Sequence, residues 1–346
     1  MKYLSLFSGI GGFEKAIQDV LPNAECVGYS EIDKFAIQIY QKHFPTHHNF
    51  GDITQVDVDA LSDFDLLVGG SPCQDLSIAK RDRKGLDGSR SGLFYKYVEI
   101  LQKKKPRHFI LENVASMPKE SKDQISQILN VQPIMINAAL VSAQQRKRLF
   151  WIGELINNQY KQTDITLPED KKIFLKDILI DGIETKEKSL CVTATYSRAC
   201  PRDYFEKHSR QLIKLGHFNS GGQADRVYSI EGKSVTLSAL GGGRGAKTGL
   251  YCIAQRGRYN QDGLTTQQQL EPRLDGKTNS LTTVQKDNLI GNVDVDVYRK
   301  LHPIECERLQ CLPDDWTEGL SNSQRYKCLG NAVNVEVVKH ILTFIK

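Results

Sequence analysis

No stretch of this 346-residue sequence approaches the roughly 18 to 20 consecutive apolar residues that a membrane span requires, and its opening MKYLSLFSG lacks the plan of a secretory signal. A membrane role is not expected, and the expected compartment is the cytoplasm. Eight cysteines, at 26, 73, 191, 200, 252, 306, 311 and 328, include no C-x-x-C pair and no disulfide framework, so small secreted folds drop out and a reducing compartment fits. His43, His47 and His48 cluster without a cysteine or carboxylate at ligand spacing. They read as a solvated helix end, and no metal site is expected. What the chain does have is enough apolar residue, 40%, for one large or two medium cores. Net charge is a mild +5 but uneven: residues 186–258 hold 13 Lys and Arg against 5 Asp and Glu, an excess of +8 that leaves the rest at about −3. A local surplus rich in arginine and glycine suits a surface that meets phosphates, and an ordinary solvated face would also account for it.

Short apolar runs alternate with helical spacing through the first half. Strands are expected over 3–7, 24–30, 65–68, 108–111, 134–141 and 149–152, with helices over 13–20, 34–43, 93–102 and 123–129. This alternation predicts an α/β fold with a doubly wound, mostly parallel sheet. From about residue 180 the texture turns to Gly, Ser and Thr with short β-prone pieces, the mark of a smaller β-rich domain. A weak echo within it, at 188–193, 232–237 and 276–282, suggests three hairpin-like strands. Helical character returns over 303–309 and 335–344.

Gly69-Gly70-Ser71-Pro72-Cys73-Gln74 puts a thiol where Pro72 forces the chain out of a buried strand. Open α/β sheets bind their ligands at that strand mouth. The first strand likewise runs into Phe7-Ser8-Gly9-Ile10-Gly11-Gly12, a turn in which backbone without Cβ atoms can face a ligand. Such turns serve NAD, FAD or S-adenosylmethionine. Glu31, about 20 residues on, can accept from ribose hydroxyls. The G-x-G-x-x-G spacing of a dinucleotide site is not met, which tilts the cofactor toward S-adenosylmethionine. Gly51-Asp52-Ile53 adds a carboxylate and an apolar side chain suited to adenine, and an Asp capping a turn would look the same. Leu111-Glu112-Asn113-Val114 delivers a glutamate to the same sheet edge, where partial burial would equip it to donate a proton. In Gln144-Gln145-Arg146-Lys147-Arg148 the two arginines point the same way if the chain is extended.

In that order, together with Glu305 to Gln310 and Gly330-Asn331-Ala332-Val333, these blocks resemble those of DNA (cytosine-5)-methyltransferases of the bacterial and phage modification type. The likeness is dense over 1–155 and 297–346. Two stretches, 69–78 and 141–151, also look like the animal de novo methyltransferases. The sequence departs from the family pattern at Cys311-Leu312-Pro313, where Gly-Phe-Pro is usual, and at Ala332, where Ser is common; neither position touches the chemistry.

The resemblance implies a class I S-adenosylmethionine-dependent fold, with residues 1–178 as catalytic and cofactor domain, 179–324 as target-recognition domain and hinge, and 325–346 returning to the first. It implies Cys73 as the thiolate that adds to cytosine C6 and Glu112 as the group that holds N3 and the exocyclic amine. Arg146 would lie at the O2 side, with Arg148 supporting the pocket. Cofactor contacts carry over to Phe7, Ser8, Gly9, Ile10, Gly11, Gly12, Glu31, Ile32, Asp52, Ile53, Pro72, Leu93, Asn331, Ala332 and Val333, with the final helix packed beside the first strand. Double-stranded DNA would be gripped by Gln74, Lys80, Arg81, Arg83 and Lys84 in a lid over a flipped base. It would be read by candidates among Arg226, Arg244, Lys247, Arg256 and Arg258. A monomer with a cognate restriction endonuclease in the same system is the implied setting. A transfer-RNA methyltransferase of this lineage would share Cys73 and Glu112, but the basic middle domain speaks for duplex DNA. An inactive relative would be expected to lose one of these residues or the Phe7 to Gly11 turn.

Overall fold

Seven strands form the main sheet. Lys2–Leu6 (β1), Glu25–Ser30 (β2), Leu66–Gly70 (β3) and His108–Val114 (β4) pair in parallel in the order β2-β1-β3-β4. Lys147–Ile156 (β6) runs antiparallel to β4, and both Ile134–Asn137 (β5) and Gln159–Gln162 (β7) run antiparallel to β6. Six of the seven strands therefore point one way, as the alternation predicts. The structure is a computed structural model and describes residues 1–71, 93–182, 186–199, 204, 207–218, 253–259, 266–272 and 295–345.

Central strands sandwiched between helices have no wet face, and β3 and β4 accordingly bury Leu66, Leu67, Val68, Phe109, Ile110 and Leu111. The helices are Gly12–Val20 (α1), Lys34–His43 (α2), Leu93–Lys104 (α3) and Lys119–Leu129 (α4). Phe94, Tyr97, Leu101, Ile125 and Leu129 pack with Leu67, Leu111 and Trp151 into one core, each such side chain contributing about 1.5 to 3 kcal/mol on burial. Asp33 caps α2 by accepting from Phe35 N at 2.9 Å, which starts the helix just past the end of β2. The strand expected over 134–141 stops at Asn137. Its side chain accepts from Ala139 N and Arg146 N and turns Ala138–Leu140 into a 3-10 helix.

Three helices follow from the C-terminal part: Pro303–Leu309 (α5), Asn322–Asn331 (α6) and Val335–Leu342 (α7). The last packs against α1, the helix that follows the first strand. Its register is set by Val333, whose Cγ1 would lie 2.9 Å from a Cβ placed on Gly12.

By its contacts the chain divides into two units. One comprises Met1–Ile180, Lys186–Arg198 and His302–Lys346, and the other Asp181–Thr185 and Ala199–Leu301. Residues 186–198 and 302–324, expected in the middle domain, thus pack with the first unit. Lys188 shows why: its ammonium donates to the carbonyls of Ala139, Ser142 and Ile173. In the second unit Leu212–Phe218 (β8) pairs antiparallel with Val295–Lys300 (β11), and Ile253–Tyr259 (β9) with Thr266–Pro272 (β10). Of the three expected hairpin pieces, 188–193 forms an isolated bridge, Ser189 to Gln144, and the other two lie outside the described residues. No helix among the described residues is long and apolar enough to cross a membrane.

Candidate active site

Leaving β1, the chain turns through the left-handed region three times, at Phe7 (φ 57°), Gly9 (φ 57°) and Gly11 (φ 86°). A bulky residue there is a local strain of about 1 to 2 kcal/mol, held in place by the neighbours that fix the turn. Ser5 and Ser8 share a hydroxyl hydrogen bond of 2.9 Å beneath it. Glu31, at the end of β2, ties it from the side: Oε2 accepts from Gly9 N, and Oε1 from Ile32 N and Asp33 N, all at 2.8 Å. A carboxylate has about four acceptor positions, so one remains for a ribose hydroxyl.

Open space faces this edge. A Cβ built on Gly9 or Gly51 would meet nothing within 4 Å. Beside it Ile32 is 70% exposed, an apolar platform that folding alone does not account for, and Asp52 is exposed while capping Thr54 N at 2.8 Å. Ile53, by contrast, is buried in the core. Ile10 is buried, Val333 covers Gly12, Asn331 is exposed, and Leu93 opens α3 half-buried. A glycine cradle flanked by two carboxylates and an exposed aliphatic side chain fits a nucleoside such as that of S-adenosylmethionine.

The second edge lies at the ends of β3 and β4. A Cβ on Gly69 would sit 2.8 Å from the Leu6 carbonyl, and one on Gly70 2.9 Å from Glu112 Oε2, so Gly70 leaves the carboxylate room to lie over β3 as it does. Glu112 and Arg148 are diagonal neighbours across the β4–β6 ladder, and Arg148 Nε meets Glu112 Oε1 at 2.9 Å. Asn113, buried beside them, donates to Ser71 Oγ at 2.9 Å and so fixes the chain just ahead of Pro72. Pro72, Cys73, Gln74, Lys80, Arg81, Arg83 and Lys84 lie outside the described residues, as do Arg226, Arg244 and Lys247. Arg256 and Arg258 stand on β9 in register with Gln269 and Gln267.

Arg146 behaves unlike its neighbour. It precedes β6 instead of belonging to it, is 3% exposed, and spreads its guanidinium over four acceptors. Nη1 donates to Val192 O at 3.2 Å and Cys191 Sγ at 3.3 Å, while Nη2 donates to Gly330 O at 3.1 Å and Ala332 O at 2.7 Å. Burial, with Arg148 nearby, holds its pKa below the ordinary arginine value. Burial works to raise the Cys191 thiol, yet Arg146 and Arg148 outweigh it and hold that thiol below its usual value. Gly330 fits so closely that a Cβ would lie 2.2 Å from the Thr193 and Ala194 backbone. Asn113 and Cys191 were not separable from the sequence, since their roles depend on partners remote in the chain.

Of the histidine cluster, His48 is exposed as expected, whereas the other two are packed. His43 and His47 are half-buried and burial lowers both; His47 Nδ1 bonds the Tyr40 hydroxyl at 3.0 Å.

Comparison with known proteins places these features in company. The family model described as C-5 cytosine-specific DNA methylase matches residues 1–346. The type II methyltransferase M.HhaI of Haemophilus parahaemolyticus is 30% identical over 356 aligned residues, covering 99% of this chain and 93% of that protein. The orphan methyltransferase M.SPRI of Bacillus phage SPR is 29% identical, over 99% of this chain and 96% of its own. Among solved structures, the S. pombe Dnmt2 methyltransferase superposes with a TM-score of 0.58 at 15% identity, covering 99% and 97% of the two chains.

Proposed function

Since the chain belongs to the C-5 cytosine-specific DNA methylase family, we propose how its side chains divide that family's reaction among themselves. The protein is a DNA (cytosine-5)-methyltransferase, and its methyl donor is S-adenosylmethionine. The observation that carries the assignment of residues is the Glu112–Arg148 pair, set over Gly70 at the mouth of the sheet directly ahead of Pro72-Cys73.

Cytosine C5 is a poor nucleophile until another nucleophile adds at C6. The Cys73 thiolate forms that bond, and electron density moves to C5. Glu112 offers Oε2 to the exocyclic amine and N3 edge and supplies the proton that keeps negative charge from building in the ring. Arg148, rather than Arg146, lies on the O2 side, because its Nε pairs with Glu112, whereas the Arg146 guanidinium is taken up by remote carbonyls and Cys191. Arg146 positions the pocket through its carbonyl contacts. Phe7, Ser8, Gly9, Ile10, Gly11, Gly12 and Glu31 frame the donor, with Ile32 and Asp52 at its adenine end and Pro72, Leu93, Asn331, Ala332 and Val333 around the rest. Ile53 supports Asp52 from the core. Bound there, S-adenosylmethionine supplies an electrophilic methyl group. The C5 proton then leaves to water or hydroxide, and the thiolate departs by β-elimination.

The second unit reads the target through its arginines and lysines, Arg226, Arg244, Lys247, Arg256 and Arg258 among them. The segment Gln74 to Gly92, with Lys80, Arg81, Arg83 and Lys84, grips the backbone around the flipped base. The acting species is a monomer in the cytoplasm of a bacterial or phage-infected cell, its modification protecting DNA from an endonuclease of the same specificity.

Tritiated methyl transfer to unmethylated duplex DNA and to total transfer RNA tests this reading. Label on DNA cytosine C5, lost in Cys73→Ala and reduced about 10²- to 10⁴-fold in Glu112→Gln, is expected. A duplex with 5-fluorocytosine cannot lose its C5 substituent and should trap the wild type covalently. Labelling of RNA alone, or a Cys73→Ala protein that still transfers, would overturn it.

A further inference from the structure

The loop joining α5 to α6 reaches back to the glycine turn. Trp316, 5% exposed, donates its indole Nε1–H to the Ile10 carbonyl at 3.0 Å, and Ile10 is the middle residue of Gly9-Ile10-Gly11. The same ring lies flat on the His43 imidazole, 3.6 Å between centroids and 7° between planes. His43 Nε2 bonds the Trp316 carbonyl at 2.8 Å, and a carbonyl only accepts, so this ring carries its proton on Nε2. Burial keeps His43 below its ordinary value, which leaves a neutral ring under the indole. Phe44, tilted 6.1 Å from Trp316, closes the other side: a Cβ on Gly11 would be 2.6 Å from Phe44 Cε2.

Trp316 is itself held from behind. Thr317 donates both N–H, at 2.8 Å, and hydroxyl to Glu307 Oε1. Arg325 Nη2 donates to that same oxygen at 2.8 Å, and its Nε to Thr317 Oγ1 at 2.8 Å. Glu307, Thr317 and Arg325 are all buried. An ion pair taken out of water stabilises little by itself, but three donors converging on the one oxygen Glu307 Oε1 narrow the geometry open to Thr317 and Arg325, while Oε2 is buried with no hydrogen-bond partner among the described residues. The indole N–H therefore arrives at Ile10 from a rigid support.

We propose that Trp316 is a positioning residue for the methyl donor: its N–H fixes the Ile10 carbonyl and so keeps the Gly9 cradle in the shape that accepts S-adenosylmethionine, without touching the donor. The proposal rests on the reading of that turn as the donor site.

Trp316→Phe keeps an aromatic ring on His43 and removes the N–H alone. By calorimetry the Kd for S-adenosylmethionine should rise about tenfold, the loss expected when a buried acceptor is left without its donor. The kcat at saturating donor and the KM for DNA should stay within about twofold of wild type, a split that general loosening of the fold would not give. An unchanged Kd in the folded variant, or kcat and DNA affinity falling together with it, would overturn the proposal. Gly9→Val separates the two levels of the argument. If it leaves donor binding intact, the turn is not the donor site; if it abolishes binding while Trp316→Phe has no effect, only the role of Trp316 fails. Should Trp316→Phe not fold, the wild type labelled with 5-fluorotryptophan carries two resonances, Trp151 and Trp316. Titration with S-adenosylhomocysteine should move the Trp316 signal saturably and leave Trp151 in place. A Trp316 signal that does not move refutes the coupling.

Discussion

Arg146→Lys should unfold this protein more than it slows it. The guanidinium spans Cys191 Sγ, Val192 O, Gly330 O and Ala332 O, between 2.7 and 3.3 Å, from a site 3% exposed. A lysine ammonium is a single point with three donors and cannot reproduce a fork that reaches both residues 191–192 and residues 330–332. At least two buried acceptors would be orphaned, at about 1 to 3 kcal/mol each, for a loss of about 2 to 6 kcal/mol, with about 3 kcal/mol as a working value. That is roughly a hundredfold in the unfolding equilibrium. Urea denaturation followed by tryptophan fluorescence reads this directly, because both tryptophans, Trp151 and Trp316, belong to the first unit. The companion variant is Arg148→Lys. Its side chain pairs with Glu112 and the Lys147 carbonyl and lies near Cys191, and a lysine keeps the charge there, so stability should shift less than in Arg146→Lys while methyl transfer falls sharply. If Arg146→Lys keeps the wild-type urea midpoint and loses turnover, the guanidinium serves the substrate and the clamp described above is not its function.

Two further outcomes follow from single side chains. Glu14 is fully buried, and burial pushes its carboxyl up to about 7 from 4.5 against the smaller lowering effect of the nearby Ser5 and Tyr40 hydroxyls. The folded chain then holds a proton that the unfolded chain releases between those values, so stability falls by about 3 kcal/mol as pH rises from about 4.5 through about 7. Glu14→Gln should flatten that decline, and urea midpoints at pH 5 and pH 8 that change equally in both proteins would contradict it. Cys311 occupies the left-handed position (φ 58°) that ends α5, where Leu312 N bonds Glu307 O and Cys311 N bonds Arg308 O, both at 3.0 Å. That pattern favours glycine, which is what the family pattern carries there. Cys311→Gly should exceed Cys311→Ala in stability by about 1 kcal/mol in thermal melts, and the reverse order would refute the strain argument.

The central elements were legible because their information is local. Apolar β3 and β4, the Asp33 cap of α2 and the glycine turn after β1 all follow from neighbours in sequence. β7 is a polar edge strand, Gln159–Gln162, and α6 spans Asn322–Asn331 with a buried arginine, so neither shows the expected apolar period. Treating Gln144 to Arg148 as extended placed both arginines on one substrate-facing side. In fact β6 begins at Lys147, and Arg146 turns inward to carbonyls contributed by residues some 45 and 185 positions away. His43 was misread for the same reason, since the ring stacked on it is that of Trp316. Side-chain types announced the site; the division of labour between adjacent arginines was set by partners that periodicity does not see.

The long span between Ile10 and Trp316 also bears on synthesis. At about 5 to 20 residues per second, roughly 15 to 60 s separate the appearance of the glycine turn from that of the indole that braces it. Val333 over Gly12 and the carbonyls of Gly330 and Ala332 arrive later still. Until then a nascent chain lacks the brace on Ile10, the clamp around Arg146 and the cover over Gly12. The contacts that fix Ile10, Arg146 and Gly12 are therefore complete only once residues up to 333 have been made.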